Sequence, residues 1–187
     1  PASVHSGTAI TVDGKIFLVG GIRSGAKLNQ VLRLDPASGQ WTQKANMPTA
    51  RHGPKLIWFR DRIWAIGGGD GSATATVESY DPQTDTWKTE PSLSVARDFP
   101  YAWVSNDRIF VGGGWGGDYH TSLEWFDSET NDWSLLGDLP EKKNVGDAVV
   151  QRRRAHFRAR IFTGLGIRRP EKTVENRLGH IVPVAEV

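Results

Sequence analysis

Residues 63–68 read Ile63-Trp64-Ala65-Ile66-Gly67-Gly68, and residues 77–82 read Val77-Glu78-Ser79-Tyr80-Asp81-Pro82, with Trp87 following. Around them, Lys55 to Phe59 is a short apolar run and reads as strand a. Asp61-Arg62 is a turn, and Ile63 to Ile66 is strand b, ended by Gly67-Gly68-Gly69. A polar loop from Asp70 to Ala75 leads into Thr76–Tyr80, which alternates and reads as strand c. Asp81 to Asp85 is a turn-forming cluster, and Thr86 to Lys88 opens strand d around Trp87. Four short strands joined by tight turns predict an antiparallel meander.

Working outward, the same marks recur. Trp41, Trp87 and Trp133 are spaced by 46 residues, as are Asp35, Asp81 and Asp127, and Met47, Leu93 and Leu139. Ile16-Phe17, Ile63-Trp64 and Ile109-Phe110 each lead into a diglycine: Gly20-Gly21, Gly67-Gly68 and Gly113-Gly114. Arg51 and Arg97 keep the same 46-residue period, with Lys143 the next member and Val4 in the first unit. A fixed period of this length marks a repeat architecture. A single four-stranded unit with two apolar faces cannot cover both, so the units must stack. A diglycine permits close backbone approach between neighbours, and the Trp and Tyr or Phe side chains fill the space between sheets.

The order of diglycine, Tyr-Asp-Pro, Trp and Arg resembles the kelch repeat. The resemblance implies an all-β fold, a β-propeller of four-stranded antiparallel blades. Repeats span about 4–50, 51–96 and 97–142, within residues 1–150, where a fourth also starts. Residues 151–187 read as a degenerate or partial fourth repeat, or a tail. There Ala148-Val149-Val150 is a plausible strand a, Ile161-Phe162 a strand b displaced by six extra residues in the a–b turn, and Thr173-Val174-Glu175 an echo of strand c.

Composition sets limits. The chain has 187 residues, 38% hydrophobic and 24% charged, enough for a core. Its apolar runs are far shorter than the roughly 20 residues that span a bilayer, so no membrane partner is expected. No leader is visible, and a start at Pro1 rather than Met is compatible with a processed product or a fragment. Zero Cys excludes disulfides, thiolate metal sites and cysteine nucleophiles; the compartment stays open, with the cytoplasm favoured. Net charge is +2, but residues 151–187 carry nine basic and three acidic residues. The run Arg152-Arg153-Arg154 suits a phosphate or acidic partner, or simply a solvated loop; a nucleic-acid partner is not the expectation.

In an up-down meander the start of strand a and the b–c loop share one rim. The resemblance implies that this rim binds partner proteins, which singles out Arg51 and Arg97. Gln30, Thr76 and Ser122 match small polar positions opening strand c. A repeated Arg can equally pair with backbone carbonyls or an acidic neighbour between blades. Trp115, Asp118, Tyr119 and His120 form the most distinctive loop, suited to protein contact or sugar stacking, or to packing of Trp115 on the next blade. Trp58 and Trp103 fall in strand a on opposite faces, and both are expected in the core.

Catalytic signals are weak. None of the five His lies in a paired metal motif, and the Gly-rich segments precede no helix. Neither catalytic residues, nor a metal, nor a cofactor is expected. Among kelch-type enzymes, the copper-radical oxidases need a Cys that is missing here, whereas a sialic acid epimerase-like site needs only a few polar residues. Two functions follow: a non-catalytic protein-binding propeller or fragment of one, or a carbohydrate-binding or carbohydrate-active propeller. With about four blades' worth of chain against the usual four to eight, a homo-oligomer completing the ring is a further expectation.

Overall fold

The computed structural model describes residues 3–140 and the strand segments 147–151, 154–158, 175–177 and 180–182. Three complete blades have strands a to d at Thr8–Val12, Lys15–Val19, Val31–Asp35 and Gln40–Lys44; Lys55–Phe59, Arg62–Ile66, Val77–Asp81 and Thr86–Glu90; and Tyr101–Ser105, Arg108–Gly112, Ser122–Asp127 and Asp132–Asp138. Each is an antiparallel meander in the order a-b-c-d. A fourth sheet pairs Asp147–Gln151, Arg154–Arg158, Glu175–Arg177 and His180–Val182 in the same order.

The fourth sheet corrects one expectation. Its strand a pairs at once with Arg154–Arg158, Gln151 opposite Arg154. Strand b of this sheet therefore starts at Arg154, without the six extra residues expected before it. The expected strand b at Ile161-Phe162 and Lys143 lie outside the described residues.

Local chemistry explains the meanders. The a–b turns have positive φ at both central residues: Asp13-Gly14 (48° and 70°), Arg60-Asp61 (48° and 57°) and Asn106-Asp107 (49° and 57°). That is the tight hairpin geometry that Asp, Asn and Gly tolerate best. Arg60, the poorest fit, donates from Nη2 to Asp107 Oδ2 of the next blade's turn at 2.6 Å. The c–d turns explain the periodic aspartates. Asp35, Asp81 and Asp127 Oδ1 accept from the amides of Ala37, Gln83 and Glu129, at 3.0, 2.8 and 2.8 Å. A side chain closing its own turn two residues on is the Asx device.

The blades stack through their faces. Strands a lie innermost, that of blade 2 packed against those of blades 1 and 3, and strand a of blade 3 against that of the fourth sheet. Strands d form the outer edges. Between blades 1 and 2 lie Phe17, Val19, Val31, Met47, Ile63 and Tyr80. Between blades 2 and 3 lie Ile57, Trp64, Leu93, Ile109, Phe126 and Trp133. Strand b of one blade meets strand c of the next: Phe17 contacts Tyr80 at 6.0 Å and Trp64 contacts Phe126 at 5.1 Å between ring centroids.

The indoles latch the stack. Trp87 Nε1 donates to the Ala45 oxygen (2.9 Å) and Trp133 Nε1 to the Pro91 oxygen (2.8 Å), in both cases 42 residues upstream. Trp103 is buried as expected and stacks on Phe110 at 5.6 Å. Trp58 is not core. It is 37% exposed, because it lies near the end of strand a, next to the turn, where the neighbouring blade does not cover it.

The diglycines do make the close approach expected of them. Gly21 donates its amide to the Arg51 oxygen (3.0 Å) and Gly68 to the Arg97 oxygen (2.8 Å). Gly67 sits at φ +63°, and a Cβ there would lie 2.5 Å from the Arg97 oxygen.

Candidate functional site: the loop rim and the buried Arg–Glu pairs

Chain direction puts the openings of strands a and the b–c loops on one rim. Short main-chain bridges build it: His5 pairs with Ile22, His52 with Gly69 and Asp98 with Trp115. Each b–c loop then folds back on itself. Ile22 faces Lys27, Gly69 faces Ala73 and Trp115 faces Tyr119. In blade 3 the Asp98 amide donates to the Trp115 oxygen (2.7 Å) and the Trp115 amide to the Asp98 oxygen (2.9 Å). The His120 amide closes the loop on the Gly114 oxygen (3.0 Å). Trp115 and Tyr119 are each 42% exposed, so a pinned loop holds two aromatic side chains out toward solvent.

Arg51 and Arg97 do not present their charges on this rim. Both are 0% exposed. Arg51 donates from Nη1 to the Thr76 oxygen (3.2 Å) and from Nη2 to the Ala65 oxygen (3.0 Å) and Glu78 Oε2 (2.9 Å). Arg97 donates to the Gly113 oxygen (2.8 Å), Ser122 Oγ (2.7 Å) and Glu124 Oε1 (3.0 Å). The second oxygens of the two carboxylates are also engaged. Glu78 Oε1 accepts from Thr49 Oγ1 (2.8 Å) and Glu124 Oε2 from the Ser94 amide (2.6 Å). Each pair thus ties strand c of its own blade to the segment that enters that blade. Burial disfavours the charge on both arginines, and the paired glutamates oppose that shift. A group desolvated this far needs a counter-charge and hydrogen bonds to stay buried; Arg97 engages Nε, Nη1 and Nη2, whereas Arg51 Nε is buried without a partner.

The other expected rim residues divide. Ser122 Oγ turns inward to accept from Arg97, whereas Thr76 meets Arg51 only through its main-chain oxygen and pairs its hydroxyl with Thr74 Oγ1 (2.8 Å). Gln30 accepts from Arg23 (3.3 Å) and lines a groove on the outer face of blade 1. Of the residues singled out for partner binding, Trp115 and Tyr119 are both on the rim and exposed.

Two groups went unread in the sequence. Glu78 and Glu124 keep the 46-residue period, which was their signal. His52 and Asp98, each one residue after a buried Arg, lie with Nε2 and Oδ2 3.1 Å apart across the blade 2–blade 3 junction. Burial raises the Asp98 carboxyl, and His52 pulls against that shift. His52 Nδ1, Asp98 Oδ1 and His120 Nε2 are buried without a hydrogen-bond partner. Among the described residues no group of three or more His, Cys, Asp or Glu is placed to hold a metal ion, and no helix is long and apolar enough to cross a membrane.

Comparison with known proteins agrees with this geometry. The kelch motif matches residues 5–48, 50–94 and 104–140. The solved structure of YjhT superposes with a TM-score of 0.71 at 18% sequence identity, over 84% of this chain and 58% of that one. The chain therefore spans less than two thirds of the length of that structure, and the likeness is one of fold. No curated protein matches it in sequence. With three kelch motifs covering more than half of its length, the chain belongs to the kelch-repeat family.

Proposed function

We propose that the chain is a protein-interaction part of a kelch propeller, and that its partner docks on the rim formed by the strand-a openings and the b–c loops. The observation that carries this reading is the exposure of Trp115 and Tyr119 on a loop pinned by two main-chain bonds to Asp98. Aromatic side chains held rigidly beside polar groups supply contact area at little entropic cost, the pattern of binding hot spots. Arg51 and Arg97 support the rim from beneath, because their ion pairs fix strand c and the segment entering each blade. The test is affinity capture by the wild type and by Trp115→Ala/Tyr119→Ala. Loss of a partner with an unchanged melting temperature supports the reading; unchanged capture counts against it.

A second reading, a carbohydrate site, is favoured by the unpartnered His52 Nδ1, Asp98 Oδ1 and His120 Nε2 near the same loops. Buried polar atoms without partners suit a polyhydroxylated ligand. Binding to a glycan array, lost in Asp98→Ala, would favour it over the protein-binding reading.

A further inference from the structure

We propose that the rim over blades 2 and 3 receives a cationic side chain, an Arg or Lys of an extended partner segment, on the Trp115 and Tyr119 rings beside the Asp98 carboxylate. This rests on the protein-interaction reading above and adds the chemistry of the partner. Two main-chain pairings set the three residues in a row. Asp98 and Trp115 exchange both amide–carbonyl bonds, at 2.7 and 2.9 Å. Trp115 then faces Tyr119 between two flanking bonds, Gly116 to the Asp118 oxygen and His120 to the Gly114 oxygen, both 3.0 Å. Residues directly opposite in an antiparallel pairing share a face, and side chains come closest at a pair that makes no bonds of its own, as with Trp115 and Tyr119. The carboxylate, the indole and the phenol therefore spring from one face, and both rings are 42% exposed. The corresponding rows are His5, Ile22 and Lys27 in blade 1 and His52, Gly69 and Ala73 in blade 2. Of these three rows, that of blade 3 alone joins a carboxylate to two rings.

Charge selects the occupant. Segments 45–54, 67–76, 91–100 and 113–121 build this part of the rim, and Arg51 and Arg97 are their only Lys or Arg residues. Both are buried in ion pairs with Glu78 and Glu124, so neither offers its charge to a docking anion. Asp70 is exposed, and Asp98 pairs with His52 rather than with an Arg or Lys among the described residues. Burial and the Arg97 charge hold the His120 imidazole toward its neutral form, so the aromatic loop brings no competing cation from that side chain. An aromatic ring attracts a cation to its negative face. Arg suits the row better than Lys, because a planar guanidinium can lie on a ring while its N–H groups reach a carboxylate. The chain already contains this contact: the Arg108 guanidinium carbon lies 4.1 Å from the centre of the Trp125 ring. The loop of blade 1 carries the opposite sign, with Arg23 and Lys27, which confines the cation site to blades 2 and 3.

The test pans a random-peptide phage library on the 187-residue chain. The recovered peptides should share an Arg or Lys. The best of them, made synthetically, should lose about tenfold in affinity when that residue becomes uncharged citrulline or norleucine. Added salt should weaken binding, and Trp115→Ala/Tyr119→Ala should abolish it. Asp98→Asn should weaken the cationic peptide and leave the citrulline form unchanged. The citrulline comparison uses the wild-type protein, so it stands even if Asp98→Asn disturbs the rim. Peptides that need Trp115 and Tyr119 but share no basic residue, or that keep their affinity as citrulline forms, would overturn the cation and leave the rim reading standing. Peptides indifferent to both rings would overturn the cation and count against the rim reading as well. Recovery of no peptide would also overturn the cation, and partner capture by the wild type would then decide the rim reading separately.

Discussion

The indole nitrogen of Trp133 donates to the main-chain oxygen of Pro91, 2.8 Å away and 42 residues earlier in the chain. Trp87 does the same to Ala45. The periodic tryptophan thus joins each blade to the one before it, by burial and by a directed bond. Removing the bond while keeping an aromatic ring leaves a carbonyl unpaired, at a cost of about 1–3 kcal/mol. Trp133→Phe should lose that much in urea unfolding. Trp41→Phe, at an exposed indole with no hydrogen-bond partner among the described residues, should change stability by less than about 0.5 kcal/mol.

The arginine–glutamate pairs should behave as structural units. Arg97→Ala strands the Glu124 carboxylate in the interior and should cost about 3–5 kcal/mol. Blade 1 shows an apolar alternative, Val4 with Leu32, at the equivalent positions. The double variant Arg97→Val/Glu124→Leu should therefore be more stable than either single variant. A double-mutant cycle by chemical denaturation measures the coupling.

Acid should loosen the blade 1–blade 2 junction through Asp85. Its carboxylate accepts from the Tyr80 hydroxyl, the Ala45 amide and Lys44, which together lower its pKa to about 2. The folded value lies below the unfolded one, so the stabilisation is complete above about pH 4 and drains away as pH falls toward 2. Asp85→Asn should melt lower than the wild type at neutral pH. The gap between them should close as thermal midpoints are followed down to about pH 2.

Gly67 tests the close approach of neighbouring blades. Its φ of +63° and the 2.5 Å spacing from a Cβ to the Arg97 oxygen leave no room for a side chain. Gly67→Ala should cost more than about 1 kcal/mol. Gly25, at φ +82° but with nothing within 4 Å of a Cβ, separates backbone strain from crowding, and Gly25→Ala should cost less. Thermal melting of the two variants measures the difference.

The fold was legible because its marks are local and repeated. Asp35, Asp81 and Asp127 close their own turns, and the diglycines of blades 1 and 2 meet the next blade at the same step. The site was less legible because side-chain direction is not local. Arg51 and Arg97 open strand a on the rim, yet their long side chains run inward to glutamates 27 residues later. The periodic spacing of Glu78 and Glu124 was the available sign of that pairing. Trp58 misled for a related reason: alternation gives the face of a strand but not how far the neighbouring blade extends over it. In the fourth sheet, Ile161-Phe162 matched the repeat by residue type, whereas main-chain pairing selected Arg154–Arg158.

The most direct test of the rim account is site-specific photo-crosslinking in the protein's own cells, with the reactive group at position 119 or, as a control on the outer edge, at position 135. The account predicts a discrete protein adduct at 119, absent at 135 and lost when Trp115→Ala is added without a change in melting temperature. Equal labelling at both positions, or glycan binding with no protein adduct at 119, would contradict it.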